Sequence, residues 1–172
     1  MKVIQVVPSV NEEASGPSYS VPALCRSLRA RGVEVALHVL EPAAAAALDG
    51  GELHAYPVWP FLSKLYISPS MRAGLRQAAA RSEIMHNHSL WLMPNLYPAW
   101  AVAGTPCRLV TSPRGTLSPW ALRRSRWAKR IMWRVWQGDA VKASACLHAT
   151  TPAEFQDIRG AGRPLGSLFI PQ

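Results

Sequence analysis

The sequence predicts an α/β fold: one doubly wound, mainly parallel β-sheet with helices on both faces. Three observations predict it. Short runs of β-branched and aliphatic residues alternate along the chain with segments of helical periodicity. The opening run, Val3 to Val7, is apolar apart from Gln5, as a strand buried on both sides requires. The chain has 172 residues, 49% of them apolar, which suits a single domain with a real core.

The elements follow in order. Lys2 to Pro8 (KVIQVVP) is a strand that ends at a proline, and Ser9 to Ser18 is a polar loop. Val21, Leu24, Cys25 and Leu28 recur at helical spacing, with Gly32 where a C-cap glycine belongs. Val33 to Leu40 is the second strand. The alanine-rich stretch from Glu41 to Gly51 reads as a loop, and Leu53 to Val58 as a weaker strand. Ser70 to Ser82 suits an amphipathic helix, Ile84 to His88 a strand, and Pro94 to Ala103 a helix despite Pro98. Cys107 to Ser112 is a strand. Trp120 to Lys142 is one long basic helix, or two broken near Gly138. Cys146 to Thr150 is a strand, Pro152 to Ala161 a helix opened by the capping box Thr151-Pro152-Ala153-Glu154, and Gly166 to Ile170 the last strand.

Charge narrows the partners. The net charge is +9, from 19 Lys and Arg against 10 Asp and Glu, which favours polyanions or membrane surfaces. Arg123, Arg124, Arg126, Lys129, Arg130 and Arg134 lie in one short segment with no acidic residue among them. Tryptophans at 120, 127, 133 and 136 flank these cations, and Ala128, Ile131, Met132, Val135 and Trp136 form an apolar stripe. That stripe either packs on the sheet or lies on an anionic membrane. Nucleic acid ranks last, since no nucleic-acid motif is present. Three cysteines without a C-x-x-C spacing argue against a disulfide framework or a thiolate zinc site, and for a reducing, cytosolic compartment. Neither a secretory signal nor an 18-residue apolar stretch is visible.

In parallel sheets ligands sit beyond the carboxyl ends of the strands, so the residues there are the candidates. After the first strand, Gly16 in Ser15-Gly16-Pro17-Ser18 opens a helix, either as a plain loop glycine or as a point of close approach for a phosphate. After the fourth comes His86-Asn87-His88. Positions i and i+2 share a face, so both histidines point the same way, with His88 nearer the end. His86 reads as a core histidine and His88 as a cleft group for hydrogen bonding or proton handling. No further ligand at suitable spacing supports a metal. After the fifth strand, Arg114 in Thr111-Ser112-Pro113-Arg114-Gly115 would enter the same cleft, to hold a phosphate or carboxylate bidentately or to make a surface salt bridge.

These stretches resemble the amino-terminal, Rossmann-like domain of family 4 retaining glycosyltransferases, one half of the GT-B fold. The matching features are KVIQVVP with SGPS, VPALCRSLRARG leading into VEVALHVL, HNHSLW, SPRGTLSPWAL, LHATTPAEFQDIRGAG and LFIPQ, and they cover essentially residues 1–172. The resemblance implies an acceptor-binding domain facing a donor-binding one across a cleft. It implies that Gly16 approaches the donor phosphates, His88 the transferring sugar, and Arg114 the acceptor or a phosphate. Gly16-Pro17 stands where many members have Gly-Gly, which weakens the first of these roles. The resemblance further implies a nucleotide-sugar donor, a glycan or lipid-linked acceptor, no metal or other cofactor, and a cytoplasmic place at the inner face of the membrane in polysaccharide biosynthesis. The expected carboxyl-terminal donor domain is absent from the sequence, so little transfer is expected of the chain alone. The rival reading is a non-enzymatic module that docks through Arg123, Arg124, Lys129 and Arg130.

Overall fold

The computed structural model describes residues 1–11, 16–41, 51–60, 65–160 and 167–169. Strands β1 (Lys2–Val6), β2 (Glu34–Leu40), β3 (Glu52–Tyr56), β4 (Ile84–His88), β5 (Arg108–Ser112), β6 (Cys146–Ala149) and β7 (Ser167–Phe169) form one sheet in the order β3-β2-β1-β4-β5-β6-β7. Every pairing is parallel. The chain builds outward from β1 in one direction and then restarts beside it with β4, so the strand order reverses between β1 and β4. A crevice opens at such a reversal, and ligands bind there in doubly wound sheets.

The helices are α1 (Gly16–Ala30), α2 (Pro69–Ala79), α3 (Tyr97–Val102), α4 (Pro119–Arg123), α5 (Arg126–Met132), α6 (Gly138–Lys142) and α7 (Pro152–Gly160). One face of the sheet carries α1: Val21 and Cys25 pack against Val7, Val35, Leu37 and Val39. The other carries α2, α3 and α6, with Met71, Leu75, Ala79, Tyr97, Ala101 and Ala140 against Ile4, Val6, Met85 and Leu109. Period-2 alternation in β1 thus sends Ile4 and Val6 to one layer and leaves Gln5 on the other. Each fully buried aliphatic side chain here contributes about 1.5–3 kcal/mol.

The predicted element order stands, with local differences. The α1 helix is followed by Gly32 at φ 78°, the left-handed backbone of a C-cap glycine. Ser68 caps α2 by accepting from the Met71 amide at 3.3 Å. The segment expected as a helix from Pro94 to Ala103 is split into a 3-10 turn (Met93–Asn95) and α3, because Pro98 has no N–H to continue the ladder. The loop reading of the alanine-rich stretch lies at residues 42–50, outside the described residues, as does the terminal 170–172.

The basic segment departs most. It breaks at Arg124 and Ser125, where Ser125 takes φ 57°, and not near Gly138. Instead α5 runs through a π-turn (Trp133–Gln137) into α6. Gly138 makes that turn possible: a Cβ there would sit 2.8 Å from the Trp133 carbonyl oxygen. Of the stripe, only Met132 packs toward the sheet. Ile131 and Val135 are at least half exposed, and the helix packs through Met132, Trp133 and the buried Gln137. Among the described residues no helix is long and apolar enough to cross a membrane.

Candidate active site at the carboxyl ends of the strands

Register explains the site. Gln5 lies opposite His86, and His88 opposite Ser112, so Gln5, His86, His88 and Ser112 project from one sheet face. His148 lies one step past the Thr111–Leu147 pair, so it joins them. A run of polar side chains therefore crosses four adjacent strands near their carboxyl ends.

Their hydrogen bonds form two connected chains. The Ser112 hydroxyl bridges His86 Nε2 at 2.8 Å and His148 Nδ1 at 2.7 Å, donating to one ring and accepting from the other. His88 Nε2 meets Gln5 Oε1 at 2.7 Å, and Arg114 Nη2 meets His88 Nδ1 at 3.3 Å. Gln5 Oε1 can only accept and a guanidinium can only donate. His88 is therefore the neutral Nε2–H tautomer, with Nδ1 as acceptor. Its ring stands 4.1 Å from that of His86, which is 5.5 Å from that of His148.

Burial keeps the His86 and His88 rings neutral. Burial pushes His86 down to about 3, reinforced by His148 and Arg114. Burial, His86 and Arg114 hold His88 well below the usual histidine value. Desolvation also lowers Arg114, which Glu154 partly offsets. Two donors in this cluster, Gln5 Nε2 and Arg114 Nε, are buried without a partner. Unpaired buried donors are costly, and they recur where a ligand completes the network.

Strained loops hold the rim. Ser89, Trp91 and Arg114 all take positive φ (77°, 78° and 57°), and Gly115 follows at 74°. Such backbone costs a non-glycine residue about 1–2 kcal/mol and persists only where neighbours enforce it. Here they do. Ser89 N donates to the Ser112 carbonyl at 2.8 Å, Trp91 Nε1 to the Thr116 carbonyl at 3.0 Å, and Trp91 N to Gln137 Oε1 at 3.0 Å. Asn95 Nδ2 binds the His88 carbonyl at 2.9 Å. The buried Glu154 carboxylate accepts from Gly115 N at 2.8 Å and from both N and Oγ1 of Thr150 at 2.7 Å. Only half of the expected capping box is made: Glu154 N binds Thr151 Oγ1 at 3.1 Å, while the carboxylate keeps one oxygen on Thr150, just before the helix, and turns the other to Gly115 N.

Residues 15–169 match the family described as glycosyl transferase 4-like domain. The chain belongs to that family. No curated protein sequence matches this glycosyl transferase 4-like domain. Solved structures share its fold at low identity. One is assigned as a UDP-N-acetylglucosamine 2-epimerase from Listeria monocytogenes, with TM-score 0.67, 10% identity, and coverage of 94% of this chain and 42% of that one. Another is Alr3699/HepE of Anabaena, solved in complex with UDP and glucose, with TM-score 0.63, 16% identity, and coverage of 99% and 44%. A third is the sucrose-phosphate synthase of Thermosynechococcus elongatus, with TM-score 0.58, 12% identity, and coverage of 99% and 48%. The chain spans less than half the length of each. The shared architecture is the Rossmann-like half of a GT-B fold.

Of the three candidates read from the sequence, the structure brings His88 and Arg114 of this glycosyl transferase 4-like domain together. His88 was expected to face the cleft, yet it has no exposed surface, because Arg114 lies on its outer nitrogen and Gln5 on its inner one. Gly16 is the exposed first residue of α1, and a Cβ built there would meet nothing within 4 Å. Among the described residues, then, none crowds a side chain at 16. His86 is buried, as a core histidine should be, but it is hydrogen-bonded into the same cluster. Among the described residues no group of three metal-ligating side chains occurs.

Sequence reasoning missed Gln5, Ser112 and His148 as members of this cluster, and it missed the reach of Glu154 to the Arg114–Gly115 turn. Gln5 left a signal: it is the one polar residue in the run Val3 to Val7. Replacing Gln5 with Leu is expected to release the His88 tautomer and to cost about 1–3 kcal/mol. Urea denaturation with nitrogen-15 spectra of the His88 ring reads both effects. An unchanged Nε2–H signature would show that Gln5 does not set it.

Proposed function

We propose that this domain is the acceptor side of a glycosyltransferase that moves a sugar, with retention of configuration, from a nucleotide-sugar donor to a glycan or lipid-linked acceptor. A second domain holds most of the donor. The reading places the enzyme in the cytoplasm at the inner face of the membrane, in polysaccharide biosynthesis, and needs no metal ion or other cofactor.

The observation that carries it is the Arg114–His88 pair at the strand-order reversal. Arg114 contributes a positive charge, and one of its donors, Nε, lacks a partner. Turning that guanidinium onto a phosphate would satisfy Nε and uncover His88 Nδ1. The neutral imidazole could then accept a hydrogen bond from a sugar hydroxyl. A fixed cation against the departing diphosphate and a fixed acceptor for the hydroxyl are the electrostatic and positional needs of sugar transfer. The family membership supports this reading, and so does the UDP and glucose in the Anabaena structure, to which the chain is similar in fold. Gly16, at the α1 amino terminus, would lie near the donor phosphates.

Calorimetry with a panel of nucleotide sugars tests the division of labour. The chain alone is expected to bind them no tighter than about 1 mM and to show no turnover. Submicromolar binding would place the donor site on this domain and overturn the proposal.

A further inference from the structure

The π-turned basic segment presents a surface that neither the core nor the cleft uses. Trp127 is 67% exposed, Ile131 62% and Val135 50%, and Trp120 and Trp136 are also exposed. Helical spacing puts Trp127, Ile131 and Val135 in one row and Arg126, Arg130 and Arg134 in the next. Arg126 and Arg130 lie over the Trp127 ring at 5.6 and 5.5 Å. Beyond the arginine row is an open groove of about 620 Å³, its floor made by Trp91, Leu117, Leu122 and Trp133. Lys129 reaches over the Trp91 ring at 5.4 Å from this side. The order across the surface is therefore apolar row, cationic row, apolar-floored groove.

We propose that this surface docks on an anionic lipid bilayer. Trp127, Ile131 and Val135 would enter the interfacial layer, and Arg126, Arg130 and Arg134 would hold headgroup phosphates at the mouth of the groove. Charge and chemistry select this occupant. Tryptophan and aliphatic side chains beside arginines match the acyl and phosphate layers of a leaflet. A second copy is disfavoured, because the segment from Trp120 to Gly138 has no acidic residue with which to meet its own cations. Nucleic acid would match the charge but leave Ile131 and Val135 against polar phosphate and sugar. The groove floor lies three residues from each site group, Trp91 after His88 and Leu117 after Arg114. A lipid headgroup held here would stand beside the cleft. The inference does not rest on sugar transfer, since binding to vesicles is read with no sugar present.

Flotation of the full chain with vesicles tests it. Vesicles of phosphatidylcholine with 30% phosphatidylglycerol are expected to bind the chain at least tenfold more tightly than pure phosphatidylcholine. Replacing Arg126, Arg130 and Arg134 with Ala should weaken binding about 100-fold. Replacing Trp127 and Ile131 with Ser should weaken it about tenfold. The charge-matched variant Arg26→Ala, Arg29→Ala, Arg31→Ala, on α1 and its following turn, should bind as the parent does. All of these substitutions fall on exposed or half-exposed side chains, so circular dichroism should show unchanged folding. Equal binding to both vesicle types would overturn the proposal. So would indifference to the Trp127 and Ile131 changes, a stronger preference for duplex DNA than for vesicles, or a dimer in solution that these substitutions dissolve.

Discussion

Taking the pH from 7 to 4 is expected to cost this domain most of its stability. His86 and His38 are both buried and both held near 3, and His88 is held well below the ordinary histidine value. For His38 the causes are burial, then the charge of His54. Its ring is stacked 4.4 Å from His54, with the Tyr56 hydroxyl on Nδ1 at 2.9 Å. The sign follows from linkage. Above about pH 6.5 the rings are neutral in both folded and unfolded chains, and nothing is lost. Between that pH and about 3 the unfolded chain binds protons that the folded chain cannot. Stability then falls by up to about 1.4 kcal/mol per pH unit for each such ring. Three rings give a slope of about 3–4 kcal/mol per pH unit, against a total stability of about 5–15 kcal/mol for a typical domain. Urea midpoints measured at half-unit steps from pH 7.5 to 4 check this. A flat profile would mean that the rings are hydrated in solution. His86→Phe and His38→Phe should each lower the slope by about one ring's share, whatever they do to stability at pH 7.

Removing the Glu154 carboxylate is expected to be the most damaging single change near the site. Glu154→Ala leaves Gly115 N, Thr150 N and Thr150 Oγ1 without their acceptor. Two of these are backbone donors held by the folded chain. A buried donor left unpaired costs about 1–3 kcal/mol, so the loss should reach about 3–5 kcal/mol. Glu154→Gln keeps one acceptor oxygen and should fall between the two. The effect should also be local: the Arg114–Gly115 turn takes left-handed backbone that the carboxylate helps enforce. Amide exchange should therefore quicken at Gly115 and Thr116 before it does so in β5. Loss below 1 kcal/mol would show that water replaces the carboxylate.

The fold was legible in the sequence because burial on two sides writes itself into composition. β4 was read to the residue, since Ile84 to His88 is bounded by polar turn residues on both sides. The helices with good caps, α2 and α7, were read within three residues of their ends. The basic segment was misread because its local signals conflict. Its cations and tryptophans suit a continuous helix, and only three-dimensional packing decides that Trp133 and Gln137 turn inward through a π-turn. Half of the site was legible for a related reason. His88 ends β4 and Arg114 follows the end of β5, so the carboxyl-end rule finds them. Gln5, Ser112 and His148 meet them only through lateral strand register, which no single stretch of sequence carries. Glu154 was read correctly as structural, but its partner lies 39 residues away, beyond any capping rule.

The contact between Gln5 and His88 spans 83 positions of chain. During synthesis β1 leaves the ribosome long before the strand that will lie against its second edge, and that edge stays open until residue 88 emerges. Closing so long a loop spends entropy before any pairing returns it, the condition under which large parallel sheets fold slowly. An apolar strand waiting with a bare edge can pair with a neighbouring nascent chain. Expression at lower temperature or with added chaperone should therefore raise the soluble yield more than any change to the surface.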